Sequence, residues 1–472
     1  MHGSIRYFGF TLLFLGTLVV ASPDRAAAQC SGTHCQSAGH NNLSASAWPF
    51  TEDIFQTGPT LPPISLSGPS TAWTVIETGC QDPPLSGQNL RATGSFNALL
   101  RAQVTIGSAT AAAGARYEVQ LLVDGSPVAW YTRRLRGVYP QVDVFASTAQ
   151  NVAAGNHSFS VQARLVDSGT LSLGNVYITA SGVPTTYPSL KTTNGGTLTL
   201  ANLFMKPVTD TLSFTTTESL DLVVQGYFQI NSGTSLQPIS VAPFLDGVRQ
   251  LPVTVVAVPP VLYDAVNVLA VIPDVPAGNH TLTLEVITGG NSTTFQFRNV
   301  EFVSFPAGSY KVMQTSTTAV TVDSATTGTQ PDPAALDTAC GKWTKLLEGT
   351  IPPNPTFGSY SQTYEGYLKL TGVSSGPTWA QLAFETAFFA TSAFTDGGGR
   401  QLAVAPYADG AYIFGSTATF ADPNNTETIQ MWARKVNPSC YPPNNGMQGS
   451  FGVADRYFWV KHVTLGGACL YP

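Results

Sequence analysis

The stretch VAAGNHSFSVQA at 152–163 returns, little changed, as VPAGNHTLTLEV at 275–286. An internal repeat constrains a fold more tightly than any composition value, because each copy must place the same elements in the same order. Ala-Gly-Asn-His twice admits two readings. His157 and His280 are a repeated metal or catalytic site, or they mark one turn in two copies of a domain. The turn is favoured. Gly155 and Gly278 supply backbone freedom, and Asn156 and Asn279 tolerate the left-handed region. The alternation that follows puts Phe159, Val161 and Ala163 on one strand face, and Leu282, Leu284 and Val286 on the other copy's equivalent face. No carboxylate or cysteine stands beside both histidines to complete a ligand set.

The repeat extends further. LLVDGSPV (121–128) and PFLDGVRQLPV (243–253) each carry Asp-Gly between apolar runs, a strong hairpin signal. LSLGNVYITASGVP (171–184) and FQFRNVEFVSFP (295–306) close the two copies. A third, divergent copy follows. APYADGAYIFG (405–415) offers its Asp-Gly, MWARKVN (431–437) echoes VQARLVD (161–167), and KWTKLLEG (342–349) echoes AWTVIETG (72–79). Helical periodicity is nearly absent, and short alternating runs of Val, Ile, Thr, Phe and Tyr lie between Gly, Pro, Asn and Asp clusters. The expected fold class is all-β: three tandem antiparallel β-sandwich (jelly-roll-like) domains. The expected divisions are 1–28 as a signal peptide, then repeats at 29–183, 184–306 and 307–472, with a linker at 323–340.

Only 11% of the 472 residues are charged, against roughly 25% in an average soluble protein. The net charge is −6 and no Lys/Arg cluster stands out, so nucleic acid is not an expected partner. Arg6, the apolar run from Tyr7 to Ala21 and RAAAQC read as a leader of bacterial type, with cleavage expected after Ala28. The run is short for a membrane span, which takes about 20 apolar residues, and no later segment is long enough. A secreted chain is therefore expected, and its six cysteines suit an oxidising compartment. Cys30 and Cys35 are close enough to close a small loop. Cys80, Cys340, Cys440 and Cys469 allow three pairings between which spacing does not choose. Cys30, His34 and Cys35 lack the paired spacing of a zinc site, and no metal or cofactor is expected.

Catalytic signals are sparse. No Gly-x-Ser-x-Gly elbow occurs. Glu365, Glu385 and Asp396 leave a carboxylate hydrolase open, and Asp422, Asn424 and Glu427 in DPNNTE do not match a calcium loop. The aromatic signal is stronger. Strand parity turns Ile429, Met431 and Ala433 inward and Trp432 outward. It turns Phe458 and Val460 inward and Tyr457 and Trp459 outward, and it sets Trp379 opposite to Leu382 and Phe384. Trp379, Trp432, Trp459 and Tyr457 are thus the expected ligand-binding residues. Flat aromatic faces suit sugar rings or a protein interface. Such a face also suits packing on a neighbouring domain.

VPAGNHTLTLEVITGGNSTTFQFRNVEF resembles the last two strands of carbohydrate-binding modules of the galactose-binding-like jelly-roll type. The resemblance covers about thirty residues and implies that fold. None of that family's ligand-binding residues carries over. The expected function is a non-enzymatic secreted protein that binds a carbohydrate or a cell-surface protein. Alternatives are a structural or adhesive extracellular protein that assembles through its β-sandwich faces, and a carboxylate-based hydrolase.

Overall fold

A computed structural model of the chain describes residues 64–77, 94–135, 141–201, 204–231, 237–251, 254–258, 264–288 and 292–315. It also describes segments at 30–31, 34–35, 41–43, 51–56, 90–92, 320–322, 343–351, 360–371, 382–390, 401–405, 411–421, 426–435 and 451–464. The expected leader, the 323–340 linker, Trp379, Asp396, Cys80, Cys340, Cys440 and Cys469 lie outside the described residues.

The described fold is all-β, with several antiparallel sheets. Parallel pairing is confined to Asn41–Leu43 beside Leu90–Ala92 and to Thr464 opposite Thr51. One strand order recurs three times. Arg116–Val123 lies between Ser126–Arg134 and Phe159–Leu165, with Thr74–Glu77 beyond. Gln237–Leu245 lies likewise between Val248–Arg249 and Gly278–Thr288, with Lys206–Pro207 beyond. Leu382–Ala390 lies between Gln401–Ala405 and Glu427–Lys435, with Thr344–Ile351 beyond. A second order recurs with it: Phe96–Ala109 between Gln141–Val152 and Gly169–Pro184, then Leu220–Asn231 between Asp264–Val275 and Thr293–Pro306, then Tyr360–Thr371 between Ala411–Ala421 and Phe451–Thr464.

Alternation builds the cores. In the first copy Ala98, Leu100, Ala102 and Val104 face Val119, Leu121, Val161 and Ala163. In the second, Leu222, Val224 and Phe228 face Val241, Leu282, Leu284 and Val286. Each large side chain so buried contributes about 1.5–3 kcal/mol. The strand residues expected to face inward after Ala-Gly-Asn-His do so.

The Asp-Gly hairpins form in the first two copies. Val123 pairs with Ser126, and Leu245 with Val248. Asp124 and Asp246 take φ of 50° and 51°, and Gly125 and Gly247 take 75°, the double positive φ of a type I′ turn. The third copy departs from expectation. Asp409-Gly410 lies outside the described residues, and the strands on either side of it, Gln401–Ala405 and Ala411–Ala421, belong to different sheets. The equivalent hairpin is Leu382–Ala390 with Gln401–Ala405, whose connection carries Asp396-Gly397.

Outer sheet faces are also covered. Leu99 and Val183 of the first copy, Val223, Leu269, Val271, Val303 and Phe305 of the second, and Tyr310, Tyr457 and Trp459 form one further apolar cluster. This corrects the expectation of an exposed aromatic face. Trp459 is 0% exposed, and Tyr457 and Trp432 are each 4% exposed. Tyr457 donates to the Val271 carbonyl at 2.6 Å. Parity placed these residues on the far side of their own sheet, but for Tyr457 and Trp459 a neighbouring sheet packs on that side.

Candidate functional site

The repeated histidines have a partner that local sequence did not reveal. His157 Nδ1 lies 2.6 Å from Asp124 Oδ2, and His280 Nδ1 lies 2.7 Å from Asp246 Oδ2. Each Nε2 meets a carbonyl, that of Ala153 or Pro276, at 2.8 Å. The same aspartates accept the backbone N–H of Ser158 and Thr281. Phe96 and Phe214 cover the rings at centroid distances of 5.3 and 5.4 Å. The Asp-Gly hairpin and the Ala-Gly-Asn-His turn are therefore two halves of one clasp. It overturns the view that no carboxylate recurs beside the histidines, and it supports their structural reading. Burial alone would lower the His280 imidazole, but its hydrogen bonds to Asp246 and Pro276 and the Asp246 charge hold it above its ordinary value.

A second repeated device lies on the opposite side of these strands. Thr74 pairs with Ala163, and Thr344 with Ala433. That register sets Arg164 over Trp73, 4.5 Å from the ring centre, and Arg434 over Trp343, 4.6 Å from it. In the third copy both residues are buried at 1% exposure. In the first they remain at the surface, where Arg164 also lies 5.2 Å from the centre of Trp130. Trp73 and Trp130 meet edge to face at 5.5 Å. Arg164 is held by Glu118 at 2.6 Å and by the Thr71 carbonyl at 2.9 Å. The first copy thus presents an outward tryptophan as well, Trp130.

The face is laid out by strand register. Trp130, Gln120, Gln162 and Val75 stand in one row across four strands, and Thr132, Glu118 and Arg164 in the next. Trp130 is 53% exposed. It sits on Ser126–Arg134, an edge strand of its sheet. Unpaired backbone groups on an edge need cover, and the second copy supplies it. Tyr227 Oη both accepts from the Thr132 N–H and donates to the Thr132 carbonyl, at 3.0 Å each. Lys191 Nζ donates to the Val128 carbonyl at 3.3 Å.

Between this edge and the second copy opens a cleft of about 400 Å³. Its lining includes Trp130, Thr132, Lys191, Gln229, Phe297 and Asn299. Below it the two copies are joined by buried polar contacts. Glu301 Oε2 lies 3.2 Å from Lys191 Nζ and accepts from the Thr148 N–H and Ser147 Oγ. Arg133 pairs with Asp143 at 3.1 Å and donates to the Ala265 carbonyl. Burial raises the Glu301 carboxyl, against the pull of Lys191.

Of the other sequence candidates, Asp396, Asp422 and Asn424 lie outside the described residues. Glu365 and Glu385 fall on strands of different sheets. Cys30 stands opposite Cys35 in a short ladder, with Ser31 opposite His34. Among the described residues no group of three or more His, Cys, Asp or Glu is placed to hold a metal, and no helix is long and apolar enough to cross a membrane.

No protein-family profile matches the chain, and no curated protein matches it. Solved structures show distant similarity to β-sandwich proteins. The CBM22-1–CBM22-2 tandem domain of Paenibacillus barcinonensis Xyn10C is 10% identical, covers 58% of this chain and 93% of its own, and gives a TM-score of 0.17. PNGF-II in its P21 crystal form is 9% identical, covering 58% of this chain and 64% of its own, with a TM-score of 0.22. The infectious bursal disease virus Gx strain structure is 8% identical, covering 90% and 84%, with a TM-score of 0.21.

Proposed function

We propose that the chain is a secreted, non-enzymatic binding protein of three tandem jelly-roll-like β-sandwich domains that recognises a saccharide. The binding face is the Trp73–Arg164–Trp130 platform with the adjoining cleft. The observation that carries this reading is Trp130: a large apolar ring left 53% exposed beside a cleft whose wall mixes apolar side chains such as Phe297 with amide and hydroxyl groups. A flat ring with polar neighbours offers what a sugar presents, an apolar C–H face and a rim of hydroxyls. The cleft volume falls within the range of small-molecule sites, about 300–1,000 Å³. The platform is held rigid by Glu118 and the Thr71 carbonyl, so little ordering cost attends binding.

The test is a broad glycan array probed with the full chain and with Trp130→Ala. The reading expects a defined set of saccharides bound by the parent and lost in the folded variant. A folded parent that binds no saccharide overturns it, and capture of a protein partner by the same face moves the function to adhesion.

A further inference from the structure

The charges around the cleft say what kind of saccharide it takes. Among the described residues, the charged side chains that line it are Glu118 and Lys191. Both are already spent inside the protein. Glu118 is matched by Arg164 at 2.6 Å. Lys191 Nζ is matched by Glu301 at 3.2 Å, and also donates to Ser147 Oγ at 2.9 Å and to the Val128 carbonyl at 3.3 Å. An ammonium group has three donors, so Lys191 has none over for a ligand. Arg164 uses its Nε on Glu118 and one terminal nitrogen on Thr71 while its plane faces two indoles. A carboxylated or sulfated sugar would enter a site whose cations are neutralised, and desolvating an anion there without a partner is costly.

What the cleft does offer is neutral hydrogen bonding. Asn299 lines the cleft, but its Oδ1 is enclosed by the protein, so the groups that a sugar hydroxyl can reach are those of its neighbours. Thr193 and Gln229 on the same wall add a hydroxyl and an amide. Gln120 and Gln162, bonded to each other at 3.4 Å, continue the amide row beside Trp130.

Resting on the saccharide reading above, we infer that the ligand is an uncharged, hydroxyl-rich saccharide chain lying across the junction of the first two copies. One ring stacks on Trp130 of the first copy, and the next enters the cleft, where the Thr193 hydroxyl and the Gln229 amide of the second copy meet its hydroxyls. The site is complete only with both copies.

The experiment is calorimetric titration of the full chain with two panels of oligosaccharides: neutral glucan, xylan, mannan and galactan oligomers, and acidic polygalacturonate and heparin oligomers. Each is run at about 0.05 M and about 1 M NaCl, where screening of exposed charges differs strongly. The inference expects binding in the neutral panel, with affinity changed less than about twofold by salt. It also expects Gln229→Ala to weaken binding about tenfold, one hydrogen bond's worth, with Gln229→Asn recovering part of the loss. Binding confined to the acidic panel and lost at high salt overturns the neutral-ligand inference while leaving the saccharide reading intact. No binding in either panel by a folded chain overturns both.

Discussion

Arg164 stacks over Trp73 at 4.5 Å in the first copy, and Arg434 stacks over Trp343 at 4.6 Å in the third. One device thus serves two ends. In the third copy it is sealed inside, where it fastens the first strand to its neighbour. In the first copy its outer side is open, and Trp130 completes a platform. The second copy has Ile287 at the arginine position and no matching tryptophan.

Trp343→Ala and Arg164→Ala should therefore differ in kind. The first empties a buried site and should cost about 3–5 kcal/mol of stability. The second removes a half-buried cation–π contact worth about 0.5–1 kcal/mol and unpairs Glu118, so it should cost less stability than the first and should lower ligand affinity as well. Paired denaturant melts and binding titrations check this.

The His–Asp clasp makes a pH-dependent contribution. His280 is held above its ordinary value, so its share of stability is present below about pH 6.5 and is lost as pH rises through the folded-state value. Asp246 is largely exposed, so solvent screening keeps this share under about 1 kcal/mol. Asp246→Asn should lower the melting temperature more at pH 5 than at pH 9. An equal decrease at both would contradict it.

Asp221 is buried and accepts the N–H groups of Asp274 and Tyr310 at 2.9 Å each. Burial pushes its carboxyl up from 3.8 to about 7. The native state then holds a proton that the unfolded chain releases between those values, so stability should fall as pH rises from about 4 to about 7, by up to about 4 kcal/mol. Asp221→Asn should flatten that slope in urea melts across the range, though it leaves one N–H without its acceptor.

Lys191→Ala should strand Glu301, which is buried beside Ser147 and Thr148. Loss of one partner of a buried pair costs about 3–5 kcal/mol. Replacing both, as Lys191→Met with Glu301→Leu, should restore much of it. Thermal melts of the two variants beside the parent decide this.

Much of the fold was legible because alternation and turn chemistry are local. Asp124-Gly125 and Asp246-Gly247 announced their hairpins, and the residues after His157 and His280 announced which face was buried. The site was less legible because it depends on distance in the chain. The aspartate of each clasp lies some thirty residues before its histidine. Parity put Trp432, Tyr457 and Trp459 on the outer side of their strands, but parity does not reveal whether another sheet covers that side. Trp130 carried a readable signal, since it alternates with Tyr131 and Arg133, both buried. What made it a candidate was its edge-strand position beside the second copy, which only the assembled sheets disclose.

The most direct measurement compares Trp130→Ala with Trp459→Ala, each by saccharide titration and by thermal melt. The account predicts that Trp130→Ala loses binding and melts like the parent, while Trp459→Ala loses about 3–5 kcal/mol of stability and, where still folded, keeps its affinity. Binding kept by Trp130→Ala and lost by a stable, folded Trp459→Ala would contradict it and return the site to the third copy.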